Sequence, residues 1–111
     1  MAGKFQLKKA VNGDFHFNLL ASNGQIILQS EMYKAKPSAL NGIESVKKNA
    51  ADASRFELKT ATGGKPYFVL KASNGQVVGQ SQMYSGEAAA SSGIDSVKSN
   101  APDASVEDLS A

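Results

Sequence analysis

The chain has 111 residues, 41% of them hydrophobic and 20% charged, with a net charge of +2. That is the length of one ordinary domain and a globular rather than disordered composition. The absence of cysteine excludes disulfides, thiol nucleophiles and cysteine-based zinc sites, and so mild a charge does not by itself argue for nucleic acid.

Met1-Ala2-Gly3-Lys4-Phe5-Gln6 is not followed by the apolar stretch of a signal peptide. Runs such as Ile26-Ile27-Leu28 are far too short to span a membrane. A cytoplasmic protein without a membrane anchor is therefore expected, consistent with the missing cysteines. Residues 4–10 alternate, with Phe5 and Leu7 on one side and Lys4, Gln6 and Lys8 on the other, which predicts a half-buried strand. Asn12-Gly13 is a hairpin signal, and a second strand over 15–21 turns Phe17 and Leu19 inward. Asn23-Gly24 makes the next turn and a third strand runs over about 25–30.

Ala39, Ile43, Val46 and Ala50 then fall at helical spacing. Lys36-Pro37 sits in the opening turn, where proline is tolerated, and Asn49 suits the far end. Ser54 to Lys59 returns to strand, and from there everything happens again. Hairpin, meander and helix recur through Gly63-Gly64, Phe68, Leu70, Asn74-Gly75, Ala90, Ile94, Val97 and Asn100, with Ser85 as the expected N-cap. Val106 to Leu109 makes a closing strand.

The recurrence is a duplication. Aligning 5–55 with 56–106 gives 27 identities in 51 positions without a gap, far beyond chance, so the two copies share a fold. The prediction is an α+β protein: two tandem β3-α-β units, 4–55 and 56–109, forming one antiparallel sheet with helices on one face and internal pseudo-twofold symmetry. All 111 residues then make a single domain. Because the second copy supplies the twin, a monomer is expected.

Ala21-Ser22-Asn23-Gly24-Gln25, Met32-Tyr33, Gly42-Ile43-x-Ser45-Val46-Lys47 and Asn49-Ala50, each repeated 51 residues on, carry a resemblance to the YegP-like family of small bacterial proteins. The resemblance covers essentially the whole chain. It implies two β3-α-β units in one antiparallel sheet with exchanged C-terminal strands, and it brings no biochemical activity and no catalytic residues.

No catalytic, cofactor or metal motif appears. His16 is the only histidine, with Tyr67 at its place in the second copy, and there is no nucleophile elbow or glycine-rich phosphate loop. An enzyme would have to work with serines, tyrosines and carboxylates alone. The densest shared polar and aromatic cluster is Gln29-Ser30-x-Met32-Tyr33, kept as Gln80-Ser81-x-Met83-Tyr84, where the third strand hands over to the helix. Either Met and Tyr cap the core while Ser and Gln satisfy backbone groups there, or a pocket forms twice. Gly42 and Gly93, inside the predicted helices at a cost of about 1 kcal/mol each, point to a close approach of helix to sheet or to the twin helix, with a ligand contact at the glycine as the alternative.

The outer sheet face is a second candidate surface. It carries Lys4, Gln6, Lys8, His16, Asn18, Gln25, Ile27 and Gln29, with Glu57, Lys59, Tyr67, Val69, Lys71, Gln76, Val78 and Gln80 in the other copy. Charge is uneven: residues 1–55 hold eight Lys/Arg against four acids, and 56–111 hold four against six. The sequence thus favours a non-enzymatic binding protein whose partner is a protein or small ligand. A nucleic-acid binder using Lys4 and Lys8 of the basic first copy is the alternative.

Overall fold

The computed structural model describes residues 3–110. Its strands are β1 (Lys4–Lys9), β2 (Phe15–Leu20), β3 (Ile26–Gln29), β4 (Phe56–Thr60), β5 (Pro66–Lys71), β6 (Val77–Gln80) and β7 (Ser105–Asp108). Its helices are α1 (Lys36–Asn49) and α2 (Glu87–Asn100). The strands form one sheet in the order β4-β5-β6-β3-β2-β1-β7, with the two copies meeting at the central β3–β6 pair, where Gln29 faces Gln80.

The turns show why the Asn-Gly pairs recur. In each hairpin the chain closes across a three-residue turn: Ala10 N–H donates to Asp14 O at 2.7 Å, and Ala21 N–H to Gln25 O at 2.8 Å. Only the glycine takes a positive φ, 90° at Gly13 and 87° at Gly24, so it occupies the left-handed position that side chains resist. The asparagine stays in ordinary backbone space. Its side chain instead accepts an N–H from two residues on: Asp14 to Asn12, Gln25 to Asn23 and Gln76 to Asn74, each at 3.0 Å.

Both helices lie on one face of the sheet and bury Phe5, Leu7, Phe17, Leu19, Phe68 and Leu70 beneath Ala39, Ile43, Val46, Ala90 and Val97. Pro37 sits in the first turn of α1, where its missing N–H costs nothing. Lys47 and Lys48 at its end, and Glu87 and Lys98 at the two ends of α2, match the helix dipole. Asn49 and Asn100 close the helices by donating their amides back to Ser45 O at 2.8 Å and Ser96 O at 2.7 Å. Ser85 is not the N-cap. Gly86 holds that position, and no side chain caps α2.

Three local expectations are revised. The strand after α1 begins at Phe56 rather than Ser54, because a single 3-10 turn, Ala53–Arg55, comes first. In that stretch Asp52 accepts from Ser54 N–H and Oγ at 2.9 and 2.6 Å and so fixes the turn after the helix. The sheet is mixed rather than purely antiparallel, since β7 runs parallel to β1 with Lys4 opposite Ser105 and Leu7 opposite Asp108. The cause is where α2 ends: a Cβ on Gly3 would lie 3.2 Å from Asn100 Oδ1, so the strand that follows α2 starts beside the start of β1 and runs along it. Finally, the repeat is broken at its own axis. Leu28 and its counterpart Gly79 meet across the β3–β6 seam, and a Cβ on Gly79 would stand 2.6 Å from Leu28 Cδ2. Two leucines do not fit at a dyad, so one copy gives way.

β7 is held by its acids. The Gln6 amide donates to Glu107 at 2.8 Å, with Lys4 3.4 Å away, while Lys36 pairs with Asp108 and Ser110 N–H donates to the same carboxylate at 2.9 Å. The Gln6 and Lys4 contacts hold Glu107 below the ordinary carboxylate range, and Lys36 and Ser110 hold Asp108 far below it. A carboxyl with a depressed folded pKa stabilises above its unfolded value and loses that contribution as pH falls through the folded one. The β7 edge therefore loosens in acid before the core does. By hydrogen exchange, the protection factor of the Leu109 amide, bonded to Leu7 O at 2.7 Å, falls as the pH drops below about 4, while that of the Ser30 amide, bonded to Phe17 O at 2.9 Å, is retained. Parallel loss at both sites would mean that β7 is not held electrostatically.

Candidate functional site

The strand-to-helix junction is built identically in both copies. Ser30 Oγ accepts the Phe17 N–H at 2.8 Å and donates to Glu31 O at 2.8 Å. Ser81 Oγ does the same with Phe68 N–H at 2.9 Å and Gln82 O at 2.8 Å. These hydroxyls complete the ladder where the backbone turns away, so both are already engaged by main chain. Tyr33 stacks on Phe17 with ring centroids 6.2 Å apart, and Tyr84 stacks on Phe68 at 6.1 Å. Each tyrosine points under the helix of its own copy, and the glycine there makes the room. A Cβ on Gly42 would lie 2.5 Å from the Tyr33 hydroxyl and 2.9 Å from Phe17 Cε2. The close approach expected at Gly42 and Gly93 is thus to the junction tyrosine of the same copy. Burial raises the pKa of both tyrosines, with Glu31 adding to the effect at Tyr33.

The methionines do not join this packing. Met32 is 55% and Met83 46% exposed, so neither caps the core. The cluster therefore divides into a buried Ser81 and half-buried Ser30, Tyr33 and Tyr84 that serve the fold, and Gln29, Gln80, Met32 and Met83 on the surface.

The face away from the helices is organised by strand register. Glu107, Gln6, Asn18, Gln29, Gln80, Val69 and Glu57 lie in one row across the seven strands. Asn18, Ile27, Val69 and Val78 were expected to meet solvent, and all four are buried. Asn18 and Val69 are flanked in register by Gln6 and Gln29 and by Gln80 and Glu57, while Ile27 and Val78 join the core cluster. What remains exposed at the centre is the Gln29–Gln80 pair, which borders a shallow depression of about 220 Å³ with Ser30, Glu31, Val77 and Gly79. His16 and Tyr67 are half-buried at corresponding positions on either side, opposite Lys8 and Lys59.

The basic residues of the first copy do not converge. Lys8 is on the open face and Lys4 is drawn to Glu107. Lys47 lies over the Phe5 ring on the helix side, 6.0 Å from its centre. Among the described residues no group of three or more His, Asp or Glu is placed to hold a metal, and no helix is long and apolar enough to cross a membrane. The displaced acids all move down: Asp52 through hydrogen bonds from Ser54, Glu57 through Lys71 and Lys59, and Glu107 and Asp108 as above. A general acid at neutral pH needs the opposite shift.

The family described as a domain of unknown function, DUF1508, matches residues 10–57 and again 61–108. The chain belongs to this family, in tandem form. A UPF0339 protein of Pseudomonas aeruginosa is 61% identical over 99% of this chain and 100% of its own length. YegP of Escherichia coli K12 is 48% identical over 97% and 98%. The solution structure of E. coli YegP, described as a protein of unknown function, superimposes with a TM-score of 0.94 at 47% identity, covering 99% of this chain and 95% of that one. A UPF0339 protein of Shewanella oneidensis, also solved in solution, gives 0.93 at 46%, covering 99% and 93%. The resemblance and the fold seen in the residues are thereby shown, and none of these relatives bears the name of an enzyme.

Proposed function

We propose that this is a non-catalytic binding protein that recognises its partner through the uncovered face of the sheet, centred on Gln29 and Gln80. The observation that carries this reading is the exposed glutamine pair at the pseudo-twofold axis, on the face that neither helix covers. Both copies keep Gln at a position that contributes nothing to the core. Side-chain amides both donate and accept, which suits contact with backbone groups or polar side chains of a partner. The depression beside them is smaller and more open than the clefts that enclose small ligands, which favours an extended surface contact over a small-molecule site. The division of Lys4, Lys8 and Lys47 between two faces speaks against a phosphate-tracking surface.

The test is retention from native lysate by tagged wild-type protein, Gln29→Ala/Gln80→Ala and Lys4→Glu/Lys8→Glu, scoring protein and nucleic acid separately. A protein partner lost in the glutamine variant and kept in the lysine variant is the expected result. Nucleic acid retained by the wild type and lost in the lysine variant would transfer the function to the basic first copy. Reproducible turnover abolished by one substitution would overturn the non-catalytic reading.

A further inference from the structure

The pseudo-twofold axis relates two edges of the sheet that are differently finished. β1 is flanked on its outer side by β7, and beneath that cover Phe5 and Leu7 are both fully buried. The equivalent strand of the second copy is β4, which pairs only with β5; among the described residues no strand lies along its outer side. Phe56 is only partly buried there, and Leu58, the counterpart of Leu7, is 43% exposed. The reason is connectivity. The segment after α2 is added to an existing edge, whereas the segment after α1 becomes β4 itself. The second edge thus keeps the apolar side chains and open backbone groups of a covered strand without a cover.

We propose that the outer edge of β4 receives an extended segment of another protein, laid parallel to β4 as β7 is to β1, with an apolar residue opposite Phe56 and a basic residue opposite Leu58 that meets Glu87. The chemistry of the occupant follows from what β7 meets. Val106 lies opposite Phe5, Glu107 is bonded by Gln6, and Asp108, opposite Leu7, is paired with Lys36 at the start of α1. On the other edge Gln6 is replaced by Glu57 and Lys36 by Glu87, which is exposed at the start of α2. Glu57 is already held by Lys71 at 2.9 Å and Lys59 at 3.6 Å, so the charge that meets an occupant is that of Glu87, and the Asp108 position of β7 becomes a base position in the occupant. Lys59, the kind of edge charge that discourages strand addition, is drawn to Glu57, 3.6 Å away. The same reversal rejects β7 of a second copy, whose Asp108 would face Glu87. Strand addition of this kind takes affinity from backbone hydrogen bonds and specificity from alternate side chains.

This inference does not depend on the open-face reading, and its test reads different residues. Two blocked peptides, one centred on Ser-Val-Glu-Lys and one on the β7 sequence Ser-Val-Glu-Asp, are titrated into the full chain while backbone amide shifts are followed. The expected result is perturbation along Phe56–Thr60 and at Glu87. The Ser-Val-Glu-Lys peptide binds about fivefold more tightly, since an attractive pair with Glu87 replaces a repulsive one, and Glu87→Lys narrows or reverses that ratio. Silence at β4, equal response to both peptides, or indifference to Glu87→Lys overturns the proposal. So does preference for the Ser-Val-Glu-Asp peptide or concentration-dependent dimerisation through β4, either of which would assign the edge to a second copy.

Discussion

Leu7→Ala is expected to destabilise the fold by about 2–5 kcal/mol, and the same substitution at Leu58 by at most about 1 kcal/mol. The two leucines hold the same place in the two copies, on strands of the same pattern, and a reading of the repeat alone would assign them the same cost. The difference is cover. Leu7 is fully buried between β2 and β7 on the helix face, so truncation removes packed methyl groups and leaves a cavity. Leu58 is 43% exposed beside an open edge, so much of its side chain is already in water. Urea unfolding of the two variants checks this, and a domain with about 5–15 kcal/mol of total stability makes the larger loss easy to measure. Similar losses at both positions would mean that β4 is covered in solution as β1 is. Dependence of the Leu58→Ala effect on protein concentration would then show that the cover is a second copy.

Features set by neighbours in the chain were legible. Alternation placed β1 and β2 to within one residue, and the Asn-Gly pairs marked their turns, because a strand's face and a turn's φ are local properties. The helices were legible from Ala39, Ile43, Val46 and Ala50 and the second set like them. What the residues could not show was set by meetings across the fold. Nothing in Ser105 to Asp108 says that it will lie parallel to β1, because that follows from where Asn100 ends, beside Gly3. Gly79 breaks the repeat only because its partner across the seam is Leu28, and that pairing exists only once two copies meet.

The candidate surface shows the same division. Gln29 and Gln80 were marked by recurrence, and their meeting at the axis was not foreseeable from either copy alone. Met32 and Met83 recur as faithfully yet stand in solvent, since the chain bends there and no periodicity says which way a side chain turns. The clearest signal missed was in the differences between copies. Lys36 against Glu87 and Gln6 against Glu57 were visible as divergence, and their meaning appears only when β7 is seen resting on one set and nothing on the other.

Gly93→Ala is expected to lower stability by about 1–3 kcal/mol despite the better helix propensity of alanine. In an open helix the exchange would instead gain about 1 kcal/mol. Here the added methyl group would stand 2.7 Å from Tyr84 Cζ and 3.0 Å from Phe68 Cε2, with the hydroxyl closer still. The tyrosine cannot simply swing away: its ring is stacked on Phe68, which is itself fully buried. The sign should therefore depend on Tyr84. In a Tyr84→Ala background the obstruction is gone and Gly93→Ala becomes neutral or stabilising by up to about 1 kcal/mol, a coupling of about 2–3 kcal/mol in a double-mutant cycle. Gly42 and Tyr33 form the same pair, with a Cβ on Gly42 2.5 Å from the hydroxyl, and the same reversal is expected there. An unchanged Gly93→Ala penalty without the Tyr84 ring would shift the glycine's role from making room for tyrosine to contact with the sheet. A reversal in both copies would show that tyrosine and glycine are kept together as one packing unit, which is why each recurs wherever the other does.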